Sequence, residues 1–429
     1  MSSSAEATAV LPPDPVLPHR DDLLDADVVS ARLDDLLDQA AAPRTGGCSL
    51  LRVKYRMGES LRATFRLHRG AGTDLVSSRM FPEPRAAGEF LRAREVAIGQ
   101  GAGPGSVLLD QVTSTVFWVF PQDRKLVGLD RLTGPPPELR GVFGKVWTQS
   151  ELKAYKPERA ATVRCADPCG ATVGYAKVQP GHAGRRSVAL LRAAGCGIDQ
   201  HGVLRLPEGI GYLPAQHMAL FSAAPGRPLN QVPWAAYPGA MATLGAALAV
   251  LHAQPAGGLP RFTRFDPDEL VPAADLVRAA RPDLASVARQ LRDELLRTAP
   301  ARGPDVLLHG DVHAKNVLVL DDAVSLIDLD EAGAGPAAAD LGGMLARFWC
   351  PRPHDVFDPD TARAAAASLL GAYDRRLSRA DLLWYAAAAL LAERAVRAIN
   401  RVDAAAIADL ERVLVTALRW VKQRKVGDT

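Results

Sequence analysis

Aromatic residues make up only 6% of this 429-residue chain, cysteines number five, and neither charge sign dominates. Each shortage excludes something. Five cysteines, odd in number and scattered, do not make a disulfide framework and point to a reducing compartment. Lys plus Arg is 51 against 48 for Asp plus Glu, a net charge of +3. That balance is too even for a nucleic-acid binder, which carries a basic face. The longest apolar stretch, Pro238 to Leu251, has 14 residues, short of the roughly 20 that a membrane span needs. It begins with Pro, contains Gly and Thr, and reads as a buried helix. Residues 1–30 hold Asp21-Asp22 and Asp25 and no continuous apolar core of a secretion signal. The expectation is a cytoplasmic protein with no membrane and no nucleic-acid partner. No G-x-x-x-x-G-K-[ST] loop occurs, which excludes P-loop nucleotide chemistry. Oligomeric state is not legible.

What is present is an ordinary globular composition, 48% hydrophobic and 23% charged. It is long enough for about three structural units at roughly 150 residues each. Residues 1–24 are Ser-, Ala- and Pro-rich at the start and read as disordered. Residues 25–39 space apolar side chains as a short amphipathic helix. Leu50–Arg56 and Leu61–Leu67 flank Met57-Gly58-Glu59-Ser60 and predict a hairpin. A strand over 74–81, a helix over 82–98, and strands over 106–110 and 115–120 follow. Gly134-Pro135-Pro136-Pro137 reads as a linker.

The pattern then returns. Tyr155-Lys156-Pro157-Glu158-Arg159 echoes Tyr55-Arg56-Met57-Gly58-Glu59 at an offset of 100. Lys177-Val178-Gln179-Pro180 echoes Arg79-Met80-Phe81-Pro82 at 98, and Phe221 echoes Phe120 at 101. Three matches in order at a nearly fixed offset predict duplication of one unit of about 100 residues. From Trp234 the chain turns helical: 241–252, 282–298, 361–375 and 379–401. Strand-rich units followed by a helical one predict an α+β fold with segregated lobes. The boundaries read as 25–135, 143–229 and 230–420.

One segment carries chemistry: LLHGDVHAKNVLVLDDAVSLIDLDEAGAGPAAADL, residues 307–341. Apolar runs Val317–Leu320 and Val324–Ile327 bracket Asp321-Asp322 as a hairpin. Asp311 and Asn316 precede the hairpin, and Asp328 and Asp330 end it. A hairpin brings its open ends together, so Asp311, Asn316 and Asp328 converge on one small volume. Hard oxygen donors without a sulfur or imidazole cage suit Mg²⁺, which completes its octahedron with water and phosphate. A further carboxylate can accept the proton of an attacking hydroxyl. These are the parts of a phosphoryl-transfer site. Asp311 to Asn316 is five positions, like H-R-D-x-x-x-x-N. Cys165 and Cys169 lack the second pair that zinc needs. Gly333-Ala334-Gly335 sits in the wrong context for a dinucleotide loop.

This segment resembles the aminoglycoside phosphotransferase and choline kinase family, protein-kinase-like enzymes that phosphorylate small molecules. The resemblance rests on His309-Gly310-Asp311-Val312-His313, Asn316, Ile327-Asp328-Leu329-Asp330 and Asp340-Leu341. It implies a bilobal kinase-like fold, Mg²⁺ and ATP, and a hydroxyl-bearing small-molecule acceptor. It implies Asp311 as base, Asn316 and Asp328 as metal ligands, and His309 and Asp340 as braces of the catalytic loop. Lys177, one Lys in an apolar strand, matches the lysine that holds the nucleotide phosphates. The turn 156–159 would cover those phosphates, and 220–229 would be the hinge. Residues 143–229 become the nucleotide lobe, 230–420 the catalytic lobe with the acceptor site, and 25–135 a degenerate copy acting as a cap. One departure stands out. The helix after Lys177, residues 183–194, has Arg185, Arg186 and Arg192 but no Glu to pair with the lysine. A peptide Ser/Thr acceptor and a weak pseudokinase are the alternatives that remain open.

Overall fold

The computed structural model describes residues 11–69, 72–199, 202–301, 303–349 and 358–423. It is a mixed α/β protein with several sheets and a helical C-terminal half.

Residues 11–24, expected to be disordered, are instead packed: Leu11, Leu17, Leu23 and Leu24 are all buried. Their leucines cover sheet that would otherwise face water. Helix α1 (Ala26–Gln39) follows, capped by the Asp25 carboxylate, which accepts from the N–H groups of Asp27 and Val28. Val29, Leu33 and Leu37 recur every four residues and form its buried stripe.

The first sheet comprises β1 (Cys48–Arg56), β2 (Ser60–Arg69), β3 (Gly72–Met80), β4 (Val107–Asp110) and β5 (Thr115–Val119), in the order β1-β2-β3-β5-β4. Helix α2 (Arg85–Gly99) joins β3 to β4. Alternation along β5 sends neighbours to opposite faces. Phe117 joins the core that includes Leu33, Leu61 and Phe65. Val116 and Trp118 pack with Phe81, Ala86 and Ala97 under α2.

The second sheet comprises β6 (Gln149–Lys156), β7 (Ala160–Ala166), β8 (Thr172–Val178), β10 (Gly209–Leu213) and β11 (Met218–Phe221), in the order β6-β7-β8-β11-β10. Element for element this is the order of the first sheet. Helix α4 (Ala183–Cys196) again follows the third strand. Both first hairpins carry a bulge in the outer strand, at Leu50/Arg52 and Leu152/Ala154. Both turns hold a left-handed residue, Gly58 at φ 69° and Glu158 at φ 62°. Arg79 lies opposite Arg62 and Val116, and Lys177 lies opposite Thr162 and Ala219.

A pair of aspartates extends the parallel. Asp14 accepts from Tyr55 Oη and Gly58 N, and through its other oxygen from Val16 N and Leu17 N. Asp123 accepts from Tyr155 Oη and Glu158 N, and from Lys125 N and Leu126 N.

The linker reading of 134–137 and the boundaries at 135 and 143 need correction. Helix α3 (Leu129–Thr133) lies just before that segment. Leu126, Leu129, Leu132, Leu139 and Trp147 form one core with Ala161, Val163, Cys165, Ala176 and Val178. The small inner side chains of β7 need large residues above them, and this segment supplies those. It covers the second sheet as residues 11–39 cover the first.

In the helical half, α5 (Tyr237–Leu251) buries Met241, Leu244, Leu248 and Leu251 and packs on α9 (Pro359–Ala372). Trp234–Leu251 is apolar and long enough to cross a membrane by length and composition, yet half of it is buried inside the fold. Helix α6 (Pro267–Ala280) starts at a proline and contains Pro272, and the sequence pattern gave no helix there. Helix α7 (Ala285–Arg297) follows it. The helix expected over 379–401 is interrupted: α10 (Arg379–Ala389) passes through a π-turn, Leu390–Ala395, before its last turns. Residues of α6, α7, α10 and the last helix, α11 (Leu410–Gln423), share a single core with β1, β2 and α1. The first unit therefore packs on the helical half as well as on the second sheet.

The two halves meet at a four-stranded sheet. Within it β12 (Arg227–Pro228) pairs with β14 (Val317–Val319), β14 with β15 (Val324–Leu326), and β15 in parallel with β9 (Leu204–Arg205). The segment after Phe221 and the segment after α4 thus both tie the second unit to the β14–β15 hairpin.

Candidate active site

The site is built at the open end of the β14–β15 hairpin. Strand β13 (Val306–Leu308) delivers His309-Gly310-Asp311 and pairs with β16 (Gly333–Gly335). Gly310 sits at φ 78°, and a Cβ there would lie 2.0 Å from the Glu331 carbonyl oxygen, so the turn admits only glycine.

Asp340, near the start of α8 (Ala338–Trp349), clamps this turn. Its carboxylate accepts from His309 N at 2.7 Å and Gly310 N at 2.9 Å. The His252 ring lies 3.2 Å from the same carboxylate and 2.9 Å from Tyr373 Oη. Burial opposes the Asp340 charge, but His252, His309 and the backbone donors outweigh it and hold the group below its ordinary pKa. The fully buried His309 donates from Nε2 to Ile327 O at 3.0 Å, and its Nδ1 accepts from Asp311 N at 3.3 Å. Those two bonds fix the tautomer with the proton on Nε2.

Asn316 donates its side-chain N–H to Asp311 O at 3.1 Å. That leaves its carbonyl oxygen as the atom able to ligate a cation. Ile327 N donates to Asn316 O at 3.0 Å, so Asn316 and Asp328 stand side by side at the hairpin end. Asp328 is left-handed, φ 63° and ψ 56°, which turns the chain sharply out of β15. The donor set is all oxygen. Among the described residues no three or more His, Cys, Asp or Glu side chains converge as a self-sufficient metal site. These residues fit a hard cation that takes one or two protein ligands.

From the second sheet, Lys177 reaches down to this point. Its neighbours Ala176 and Val178 join the core under α3, and alternation turns Lys177 to the opposite face. Its ammonium donates to Asp328 Oδ1 at 2.5 Å and Asp330 Oδ2 at 2.6 Å. Burial works against the Lys177 charge, yet the two carboxylates raise its pKa above the ordinary value. Burial likewise opposes the Asp328 charge, and Lys177, with Lys156 and His309 behind it, holds that carboxyl far below its usual range. The β6–β7 turn lies over the same place: Lys156 Nζ is 3.8 Å from Asp328, and Arg159 is 3.5 Å from Glu331.

Asp311 faces the helical side. Arg347 of α8 donates to its Oδ1 at 3.0 Å, and His313 Nε2 is 3.6 Å from Oδ2. Burial opposes its charge, but His313, Arg347 and Arg264 keep the group below its ordinary pKa. Burial pushes His313 down to about 4, so at neutral pH the guanidinium groups of Arg347 and Arg264 are the cations that act on Asp311. The π-turn presents Glu393 to Arg264 at 2.7 Å and to Arg347 at 3.5 Å.

The sequence-derived residues Asp311, Asn316, Asp328 and Lys177 come together here, braced by His309 and Asp340. Several neighbours escaped the sequence reading. Arg347, His252 and Glu393 gave no local signal, because their partners lie 36 to 129 positions away. Glu158 lay within the predicted turn, but it points away from the site, into the first unit. There its carboxylate meets Arg79 at 2.8 Å, Arg124 at 3.1 Å and Arg62 at 3.2 Å. Arg79, the residue in register with Lys177, is thus taken up by a carboxylate from the neighbouring unit.

Residues 189–378 match the sequence profile of the phosphotransferase enzyme family (APH). No curated protein is similar to the chain. Among solved structures, a choline/ethanolamine kinase family protein from Mesorhizobium loti is 17% identical, covering 68% of this chain and 97% of its own at a TM-score of 0.46. A fructosamine-3-kinase-like protein from Thermobifida fusca is 20% identical, with 65% and 96% covered at 0.45. An amicoumacin kinase solved with AMP-PNP, Ca²⁺ and its antibiotic is 16% identical, with 68% and 91% covered at 0.47. These likenesses are distant and carry no argument about activity. Over residues 189–378 the chain carries the signature of the phosphotransferase enzyme family, the same family that its Asp311, Asn316 and Asp328 motif resembles.

Proposed function

We propose that this protein transfers the γ-phosphoryl group of ATP to a hydroxyl of a small molecule. The observation that carries this reading is the meeting of Lys177 with Asp328 at the hairpin end that also holds Asn316 and Asp311. The family match at 189–378 supports the phosphotransferase class. Lys177 and Lys156 would hold the nucleotide phosphates under the 156–159 turn. Asn316 and Asp328 would hold Mg²⁺, whose charge offsets that of the phosphates. Asp311 would accept the proton as the acceptor oxygen bonds to the γ-phosphorus and the bond from phosphorus to the bridging oxygen breaks, releasing ADP. Arg347 keeps Asp311 ionised and oriented for that role. We place the reaction in the cytoplasm, where ATP is supplied.

We also infer that residues 48–119 are a second, degenerate copy of the nucleotide lobe, acting as a cap. Supporting this reading are the identical strand order, the matching bulges and turns, and the paired Asp14 and Asp123 contacts. With Arg79 committed to Glu158, this copy would take no nucleotide.

The test is transfer from labelled ATP to panels of sugars, amino alcohols, nucleosides, antibiotics and short peptides. Magnesium-dependent labelling of one hydroxyl class supports the reading. Labelling of peptides alone would move the acceptor to Ser or Thr. Failure to bind ATP at all would overturn the proposal.

A further inference from the structure

In protein kinases the strand lysine that holds the phosphates pairs with a glutamate on the next helix. Here α4 offers no carboxylate. The offset between the two units says what replaced it. Arg79 corresponds to Lys177 at 98 positions, and the same 98 carries Glu89 of α2 onto Ser187 of α4. The first unit keeps the helix glutamate and has Arg for Lys. The second keeps the lysine and has Ser for Glu.

Ser187 is nevertheless still in the contact. Its hydroxyl donates to Asp330 Oδ1 at 2.8 Å. The other oxygen, Oδ2, accepts from Lys177 Nζ at 2.6 Å and from Gln179 Nε2 at 2.8 Å. One carboxylate therefore bridges helix and strand lysine, as a helix glutamate would, but it rises from the lower lobe. The left-handed Asp328 and the tight turn Leu329–Glu331, anchored by buried Leu329, aim Asp330 upward. Helix α4 packs directly on that turn.

We propose that Asp330 is the positioning residue for Lys177, a carboxylate supplied by the catalytic lobe in place of the one missing from the helix. This rests on the phosphotransferase reading above. Lys177 now holds both Asp328 and Asp330. When nucleotide and cation engage Asp328, Asp330 keeps the lysine aimed at the phosphates. Because Lys177 and Asp330 come from different lobes, the lysine is oriented only while the lobes are closed on each other.

The test exchanges the two groups across their hydrogen bond. Asp330→Ser should raise KM for ATP and lower kcat, together by about 10- to 100-fold in kcat/KM, as expected for loss of a charge-assisted bond. Adding Ser187→Glu should restore at least tenfold of that loss. The Mg²⁺ concentration for half-maximal rate should not move in Asp330→Ser. A shifted Mg²⁺ requirement without rescue would make Asp330 a cation ligand and overturn the proposal. A second readout needs neither turnover nor the double variant. The rate of reductive methylation of Lys177, followed by mass spectrometry in nucleotide-free protein, should rise in Asp330→Asn, because its ammonium loses a partner. An unchanged rate would overturn the pairing. Wild-type protein that fails to bind Mg·ATP by calorimetry would refute the enzymatic reading, while the labelling result would still decide the link between Asp330 and Lys177.

Discussion

Glu158→Gln removes the carboxylate on which Arg62, Arg79 and Arg124 converge. The Glu158 side chain is 5% exposed, and the arginines are 14%, 12% and 18% exposed. Arg124 retains a second partner, Glu89, at 3.5 Å, but Arg62 and Arg79 then face each other across β2 and β3 with their shared counter-charge gone. Removing one partner of a buried ion pair costs about 3–5 kcal/mol. The partial exposure of the arginines and the amide oxygen of Gln, which still accepts one bond, lower the expectation to roughly 2–4 kcal/mol. A second variant separates charge from backbone. Glu158 is left-handed at φ 62°, where the first unit has Gly58. Glu158→Gly should therefore recover about 1 kcal/mol relative to Glu158→Ala. The pH dependence has a definite sign. Burial would raise the Glu158 pKa, but Arg79, Arg124 and Arg62 outweigh it and hold it below the ordinary value. A depressed folded pKa means the stabilisation is complete above the unfolded value, about 4.3, and fades as pH falls through the folded one. The gap between wild type and Glu158→Gln should thus be full at neutral pH and narrow in acid. Urea unfolding followed by tryptophan fluorescence measures both, since Trp118 and Trp147 report on the two sheets. A loss below about 0.5 kcal/mol, the range of a neutral surface change, would refute the clamp.

Asp311→Asn should keep ATP binding and lose turnover by about 10²- to 10⁴-fold, the range for a general base, and full activity would remove Asp311 from that role. Asp328→Ala should raise the Mg²⁺ needed for half-maximal rate, because the proposed direct ligand is gone; titration of Mg²⁺ at fixed ATP checks it. Lys177→Met should raise KM for ATP or lower kcat. Arg79→Met should show its main effect in urea unfolding, and the two variants compared by steady-state kinetics decide which sheet faces the nucleotide.

The hairpin of the candidate site was legible because its information is local. Asp311, Asn316 and Asp328 lie within 18 positions of each other, and alternating apolar runs around Asp321-Asp322 dictate how they converge. The strand order shared by the two sheets was legible for a related reason: register preserves offsets, so Arg79 and Lys177 each lie on the third strand of their sheet, opposite the second. Composition misled where cover was at stake. Residues 11–24 and 134–137 read as disorder and linker, because proline and short polar runs look alike whether solvated or packed. Leu11, Leu17, Leu23 and Leu24 turned out to line one sheet face, and Leu126, Leu129, Leu132 and Leu139, on either side of 134–137, line the other.

The sequence by itself determined which chemistry-bearing side chains this chain owns, and that α4 has no glutamate. Only the tertiary structure decided what those groups do to each other. Asp330 lies 153 positions from Lys177 and 143 from Ser187, and Glu158 lies 79 from Arg79. No periodicity connects such pairs. Their contacts follow from how the first and second units and the helical half dock, which is fixed by apolar burial spread over whole faces. The polar groups then pair with whatever that docking brings within reach, because a buried charge left alone is costly.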